Sequence, residues 1–160
     1  MSLQAAVDKL KARFGEAVLA VVEFRGETTV TVKKEEILSV CTYLKKDLGY
    51  NFLTDLCGVD YLGRNPRFEV VYQLYNIGTH DRLRLKAPVE EADAKIDTVS
   101  GVWATANWLE RECWDLMGIT FNNHPDPRRI LMPDDWEGHP LRKDYPVQGP
   151  DREPYQGRTE

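Results

Sequence analysis

Seven of the chain's nine prolines fall in its last 39 residues: Pro125, Pro127, Pro133, Pro140, Pro146, Pro150 and Pro154. Proline has no backbone N–H and biases its predecessor away from helix, so this stretch cannot build a long helix or an inner strand. Regular structure must therefore come from the residues before it. A segment of this length without helix or strand is normally a functional loop or a binding segment. Fully extended it would span on the order of 120 Å. Ile130, Leu131, Met132, Trp136, Leu141 and Tyr145 are anchors that a solvated tail would lack. After Val147 the composition turns polar and reads as frayed. The pattern predicts an α+β core domain over residues 1–121 and an extended, proline-rich docking arm over 122–160.

Within the core, Leu3, Val7, Leu10 and Phe14 recur at helical spacing, with Ser2 placed to cap and Gly15 to stop the helix. Val18–Phe24 and Thr28–Val32 flank Arg25-Gly26 and predict a hairpin. Ile37, Val40, Cys41, Leu44 and Leu48 form one stripe of a helix spanning 33–48, ended by Gly49. Three strands follow, at 51–61, 67–75 and 81–86. The charged stretch 89–97 reads as a connection. A last helix runs from Ser100 as cap to Gly118, with Val102, Ala106, Leu109, Cys113 and Leu116 as its apolar seam. The expected architecture is an antiparallel sheet flanked by helices.

Charge narrows the partners. With 21 basic and 26 acidic side chains the net charge is -5, the wrong sign for a nucleic-acid face. No apolar run reaches the ~20 residues of a membrane-spanning helix. The N-terminus lacks the pattern of a secretory signal. Cys41, Cys57 and Cys113, an odd set without CxxC spacing, predict reduced thiols in an intracellular chain.

Chemistry-bearing residues concentrate in Glu110–Pro146. Two histidines precede prolines there (His124-Pro125 and His139-Pro140), beside Arg128-Arg129, Arg142-Lys143, Asp126, Asp134, Asp135, Glu137 and Asp144. One reading is a metal site of His124, His139, Asp126 and Asp134, although a 15-residue separation through coil is not a usual ligand spacing. A Cys113–His nucleophile pair is disfavoured by the place of Cys113 on the apolar seam. A second reading is an interaction arm. Forked arginines pair with a neighbour's carboxylates, and Trp114, Trp136 and Tyr145 are residue types enriched at interface hot spots. The third is a folded surface loop whose salt bridges are internal. Glu110, Arg111 and Asp115 continue the polar cluster along the last helix. His80 reads as a turn residue, and Trp103 and Trp108 as packing.

The run ERECWDLMGITFNNHPDPRRILMPDDWEGHPLRKDYP, residues 110–146, closely resembles the signature of one family. That family is the 30-kDa subunit, or C-subunit, of the proton-pumping NADH:quinone oxidoreductase, respiratory complex I. LGYNFLTDLCGVDYLG, RFEVVYQLYNI and LRLK upstream resemble it as well, so the likeness covers nearly the whole chain. Pro127 stands where the family usually has leucine, Trp114 where tyrosine or phenylalanine is common, and Met117 where an aromatic is common.

The resemblance implies a non-catalytic α+β subunit of the hydrophilic peripheral arm, at the cytoplasmic face of the inner (cell) membrane. It implies no flavin or iron–sulfur cluster in this chain, with FMN, the clusters and quinone held by partner subunits. The main partner implied is the 49-kDa, hydrogenase-like D-subunit, with subunits B and I nearby. By matched position the motif residues are Glu110, Arg111, Glu112, Asp115 and Gly118, then His124, Pro125, Asp126, Arg128, Arg129, Gly138, His139, Pro140, Leu141, Arg142, Lys143, Asp144 and Pro146. The residues expected at the interface are Glu110, Arg111, Asp115, His124, Pro125, Arg128, Arg129, Trp136, His139, Pro140, Arg142, Lys143, Asp144 and Tyr145. The equivalent subunit of a membrane-bound hydrogenase or an F420H2 dehydrogenase is the nearest alternative. A free-standing metal-dependent hydrolase using His124, His139 and the nearby aspartates is the alternative from another class.

Overall fold

The structure, a computed structural model, describes residues 3–148. Helix α1 (Leu3–Phe14) turns Ala6, Val7 and Leu10 into the core, and Gly15 leaves it at φ 48°. Ser2, expected as its cap, lies outside the described residues. Strands β1 (Val18–Phe24) and β2 (Glu27–Val32) form the expected hairpin. Both turn residues, Arg25 and Gly26, have positive φ, as the tightest hairpin connections require. A 3-10 turn at Lys34–Glu36 leads into helix α2 (Ile37–Lys46), which buries Ile37, Val40, Cys41 and Leu44.

Strands β3 (Phe52–Asp60), β4 (Phe68–Tyr75) and β5 (Arg82–Val89) form an antiparallel meander. The sheet order is β1-β2-β5-β4-β3, which makes the β2–β5 pair parallel. The sheet is therefore mixed, where the sequence predicts an antiparallel one. Three of its four ladders are antiparallel. The difference arises because α2 and the meander return the chain beside β2 rather than beside β1. Strand β5 also runs past its expected end, through Pro88. The β2 pairing stops at Lys86, so the missing N–H of Pro88 costs no ladder bond on that side.

Alternation sorts the sheet's two faces. Phe68, Val70, Tyr72 and Leu74 on β4, with Leu83, Leu85, Ala87 and Val89 on β5, point into one core shared with all three helices. Burying each large side chain contributes roughly 1.5–3 kcal/mol. Glu69, Gln73, Tyr75, Arg84 and Lys86 take the opposite, open face.

The stretch expected as a bare connection contains β6 (Lys95–Asp97), which pairs in parallel with β7 (Thr120–Asn122). Regular structure thus runs one residue past the expected boundary at 121. Helix α3 spans Ala106–Met117, starting six residues later than Ser100. The Ser100 hydroxyl is engaged with that of Thr98 instead of capping, and turns at 100–102 and 104–105 precede the helix. Gly118 ends α3 in the left-handed region at φ 77°. Trp103 packs in the core as expected, whereas Trp108 is 64% exposed. No helix among the described residues is long and apolar enough to cross a membrane.

Candidate functional site

Helix α3 carries two carboxylates on its buried face, Glu110 and Asp115, both fully inaccessible. A buried carboxylate must find donors, and these two find them in the segments on either side of the helix. Asp115 collects the arm. Its Oδ2 accepts the backbone N–H groups of Ile130, Leu131 and Met132 at 3.1, 2.8 and 2.9 Å, and its Oδ1 accepts Arg129 Nη1 at 2.5 Å. Burial pushes this carboxyl's pKa up, but the three N–H donors and Arg129 together outweigh it and hold the pKa below the ordinary value. Arg129 also donates to the carbonyls of Trp136 and Gly138 and lies over the Trp114 ring. His139 Nδ1 donates to the Asp115 carbonyl at 2.9 Å, and the Leu141 N–H donates to the Leu116 carbonyl. The His139 ring fits only because residue 118 is glycine: a Cβ there would lie 2.6 Å from His139 Cδ2.

A second anchor lies at the end of β3 and centres on Arg67, which is 4% exposed. Its guanidinium grips Asp60 through Nε and Nη2, both at 2.8 Å, and Asp144 of the arm through Nη1 and Nη2 at 2.9 and 2.8 Å. Glu91 joins at 2.6 Å and is shared with Arg142 at 2.7 Å. Asp60 also accepts the Lys143 N–H at 2.8 Å. Both arginines lie over the Phe68 ring. The fork from Arg67 lowers Asp60 and brings Asp144 down to about 2, while its own pKa is raised by the two aspartates.

Glu110 faces the other way. It accepts the Thr98 hydroxyl and, at 2.7 Å, the Val99 N–H, tying α3 to the end of β6. Burial dominates and raises its pKa to about 7 despite these two bonds. His124 sits beside it, Nε2 to Oε2 3.6 Å. His124 Nδ1 accepts the Asp126 N–H, so the proton is on Nε2, which faces the Asn107 carbonyl at 3.1 Å.

The expected interface set thus divides. Glu110 and Asp115 work inside the chain and present nothing to a partner, because each is the acceptor on which a neighbouring segment closes. Arg129, His139 and Arg142 are part-buried and bonded back onto the core, and Asp144, though exposed, is bonded to the buried Arg67. Arg111 donates to the carbonyls of Arg128 and Arg129 at 3.0 Å and pairs with Asp126. Tyr145 donates to the Glu137 carbonyl. Pro125 and Lys143 are exposed, Trp136 and Pro140 half-buried. Arg128 is exposed too, and among the described residues its guanidinium pairs only with the neighbouring Asp126. The described part of the arm is thus bonded back onto the core, and the internal salt bridges of the folded-loop reading are present.

The four residues of the metal reading are not gathered: no three or more His, Cys, Asp or Glu side chains form a metal-holding group among the described residues. The three cysteines are free, and burial pushes the Cys41 and Cys113 thiols far up, away from the reactive thiolate. Asp60, Arg67 and Glu91 are absent from the sequence-based set. The available signal was an aspartate and an arginine bracketing the Gly63–Pro66 turn, which a hairpin brings face to face.

The family model for the 30-kDa subunit of the respiratory-chain NADH dehydrogenase matches residues 30–151, from β2 through the whole anchored arm. The chain belongs to that family. It is 65% identical over 153 residues to the NADH-quinone oxidoreductase C-subunit of Geotalea uraniireducens, covering 96% of this chain and 93% of that one. Against the C-subunit of Geobacter sulfurreducens the figures are 66% over 154 residues, 96% and 95%. Among solved structures, the family's fold is seen in the trypsin-resistant fragment (1-134) of Nqo5. It superposes with a TM-score of 0.71 at 33% identity, covering 79% of this chain and 99% of that one. The fold also recurs in the membrane-bound sulfane sulfur reductase, an archaeal respiratory membrane complex, with a TM-score of 0.77 at 19% identity over 90% and 85% of the two chains.

Proposed function

We propose that this chain is a non-catalytic peripheral-arm subunit of a proton-translocating NADH:quinone oxidoreductase. It docks on the 49-kDa, hydrogenase-like D-subunit, close to subunits B and I, at the cytoplasmic face of the inner (cell) membrane. FMN, iron–sulfur clusters and quinone belong to those and other partners. The family match across residues 30–151 carries the reading, because it includes the arm and both of its anchors. The anchors suit a docking role: they fix the backbone of the arm before any partner arrives, which lowers the ordering cost of association. Arg128, Leu131, Leu141 and Lys143 remain turned outward.

The test is purification of the tagged chain from native membranes in mild detergent, with co-purifying proteins identified by mass spectrometry. Recovery of a hydrogenase-like large subunit with iron–sulfur and flavin partners is expected. Recovery of the chain alone overturns the assignment. The electron donor that drives the purified complex separates this reading from the equivalent subunit of a hydrogenase or an F420H2 dehydrogenase.

A further inference from the structure

Where the arm recrosses the end of β3 it leaves an open groove of about 570 Å³, bounded by Leu62, Arg64, Met117, Leu141 and Lys143. Leu62 and Leu141 are 51% and 58% exposed, large for aliphatic side chains. Arg64 rests on the Tyr61 ring and has no carboxylate within ion-pair distance among the described residues; neither has the Lys143 ammonium. Asp60, the one acid lining the groove among the described residues, is already held by the Arg67 fork and the Lys143 N–H. Among the described residues, two cations without a carboxylate partner therefore flank two exposed leucines, on a chain whose net charge is -5.

We infer that this groove seats an acidic, aliphatic-bearing peptide segment of a protein partner, its carboxylates between Arg64 and Lys143 and its apolar side chain against Leu62 and Leu141. This rests on the proposed docking role and names the chemistry of what docks. An acidic segment is repelled by most of this chain's surface and attracted here, which fixes where it lands. The groove is concave, and a flat bilayer cannot reach its floor as a peptide segment can. Its walls are held in place by the Leu141 N–H to Leu116 carbonyl and Lys143 N–H to Asp60 bonds, so the seat exists before docking.

The experiment places the photocrosslinker p-benzoylphenylalanine at position 62 of the full chain in the assembled membrane complex and sequences the linked peptide. A partner-subunit peptide carrying aspartate or glutamate beside an aliphatic residue is expected. Arg64→Glu combined with Lys143→Glu should cut the crosslink about tenfold or more, and the paired glutamine variants should cut it less. Both side chains are exposed, so a circular-dichroism melt matching the parent confirms that the fold is intact. A link only to lipid, a non-acidic peptide, or a yield unaffected by charge reversal, with the complex still co-purifying, overturns the groove assignment alone. Failure to co-purify with any large subunit overturns the docking role and this inference together.

Discussion

Asp115→Asn tests how the arm is held. The asparagine carbonyl can replace Oδ2 and keep the three N–H bonds from Ile130, Leu131 and Met132, but as neutral bonds about half as strong. Its NH2 then faces Arg129 Nη1, donor against donor, where a 2.5 Å ion pair stood. Removing one partner of a buried pair costs about 3–5 kcal/mol. Arg129 keeps its carbonyl acceptors on Trp136 and Gly138, so the lower end applies. We expect a loss of about 3 kcal/mol in urea unfolding at pH 7, a drop in Tm of roughly 6–12 °C for a domain of this size. Trypsin should also cut faster at Arg128 and Arg129. The sign of the pH dependence follows from the lowered pKa of Asp115. Its stabilisation is complete above the unfolded value near ~3.9 and is lost as pH falls through the folded value, so parent and variant should converge in acid. A loss below about 1 kcal/mol at pH 7, with proteolysis of the arm unchanged, would refute the idea that Asp115 fixes the arm.

Glu110→Gln should act in the opposite sense. The folded pKa of Glu110 is raised to about 7, so its favourable contribution is complete below ~4.3 and lost as pH rises to 7. The variant should be less pH-sensitive over that window and gain about 2–3 kcal/mol on the parent between pH 5 and 8, read from urea midpoints. Arg67→Lys keeps the charge but not the two forks onto Asp60 and Asp144; a loss of about 2–4 kcal/mol in the same assay is expected. Gly118→Ala puts a Cβ 2.6 Å from His139 at a φ of 77°, and should cost more than about 1 kcal/mol and shift the His139 imidazole NMR signals. Arg128→Ala touches only an exposed local pair and should leave the urea midpoint within about 0.5 kcal/mol, while lowering the yield of assembled complex.

The elements with clean periodicity were legible. The stripe of α2 and the hairpin turn at Arg25-Gly26 lie where their patterns place them, because one local rule decides each. Elements defined by distant partners were not. Strands β6 and β7 have three residues each, too few to show alternation, and exist because Ala94 and Thr98 tie them together at both ends. The late start of α3 is set by Glu110 reaching back to Val99. In the arm, the chemistry of the motif was visible but its direction was not. A pair such as Arg128-Arg129 reads as two equivalent forks, yet one faces solvent and the other a buried aspartate. Only the helical phase of Asp115, on the face packed into the protein, tells them apart. Of Arg67's partners only Asp60 lies in the same short window, across the Gly63–Pro66 turn; Glu91 and Asp144 are 24 and 77 residues away.

Strands β1 and β2 meet the meander along a single seam of three registered pairs, Thr29–Arg84, Val30–Leu85 and Thr31–Lys86, whereas β4 and β5 share eight. The hairpin shares fewer ladder pairs with the meander than the meander's strands share with each other, and in native-state hydrogen exchange it should open at lower free energy. Asp60 at the end of β3, Arg67 before β4 and Asp115 on α3 lie beyond that seam, while Glu91 of the second anchor sits in the turn just after β5. Opening of the hairpin should therefore leave the Asp115 anchor in place and reach the Arg67 anchor only through the Lys34–Asp93 tie beside Glu91.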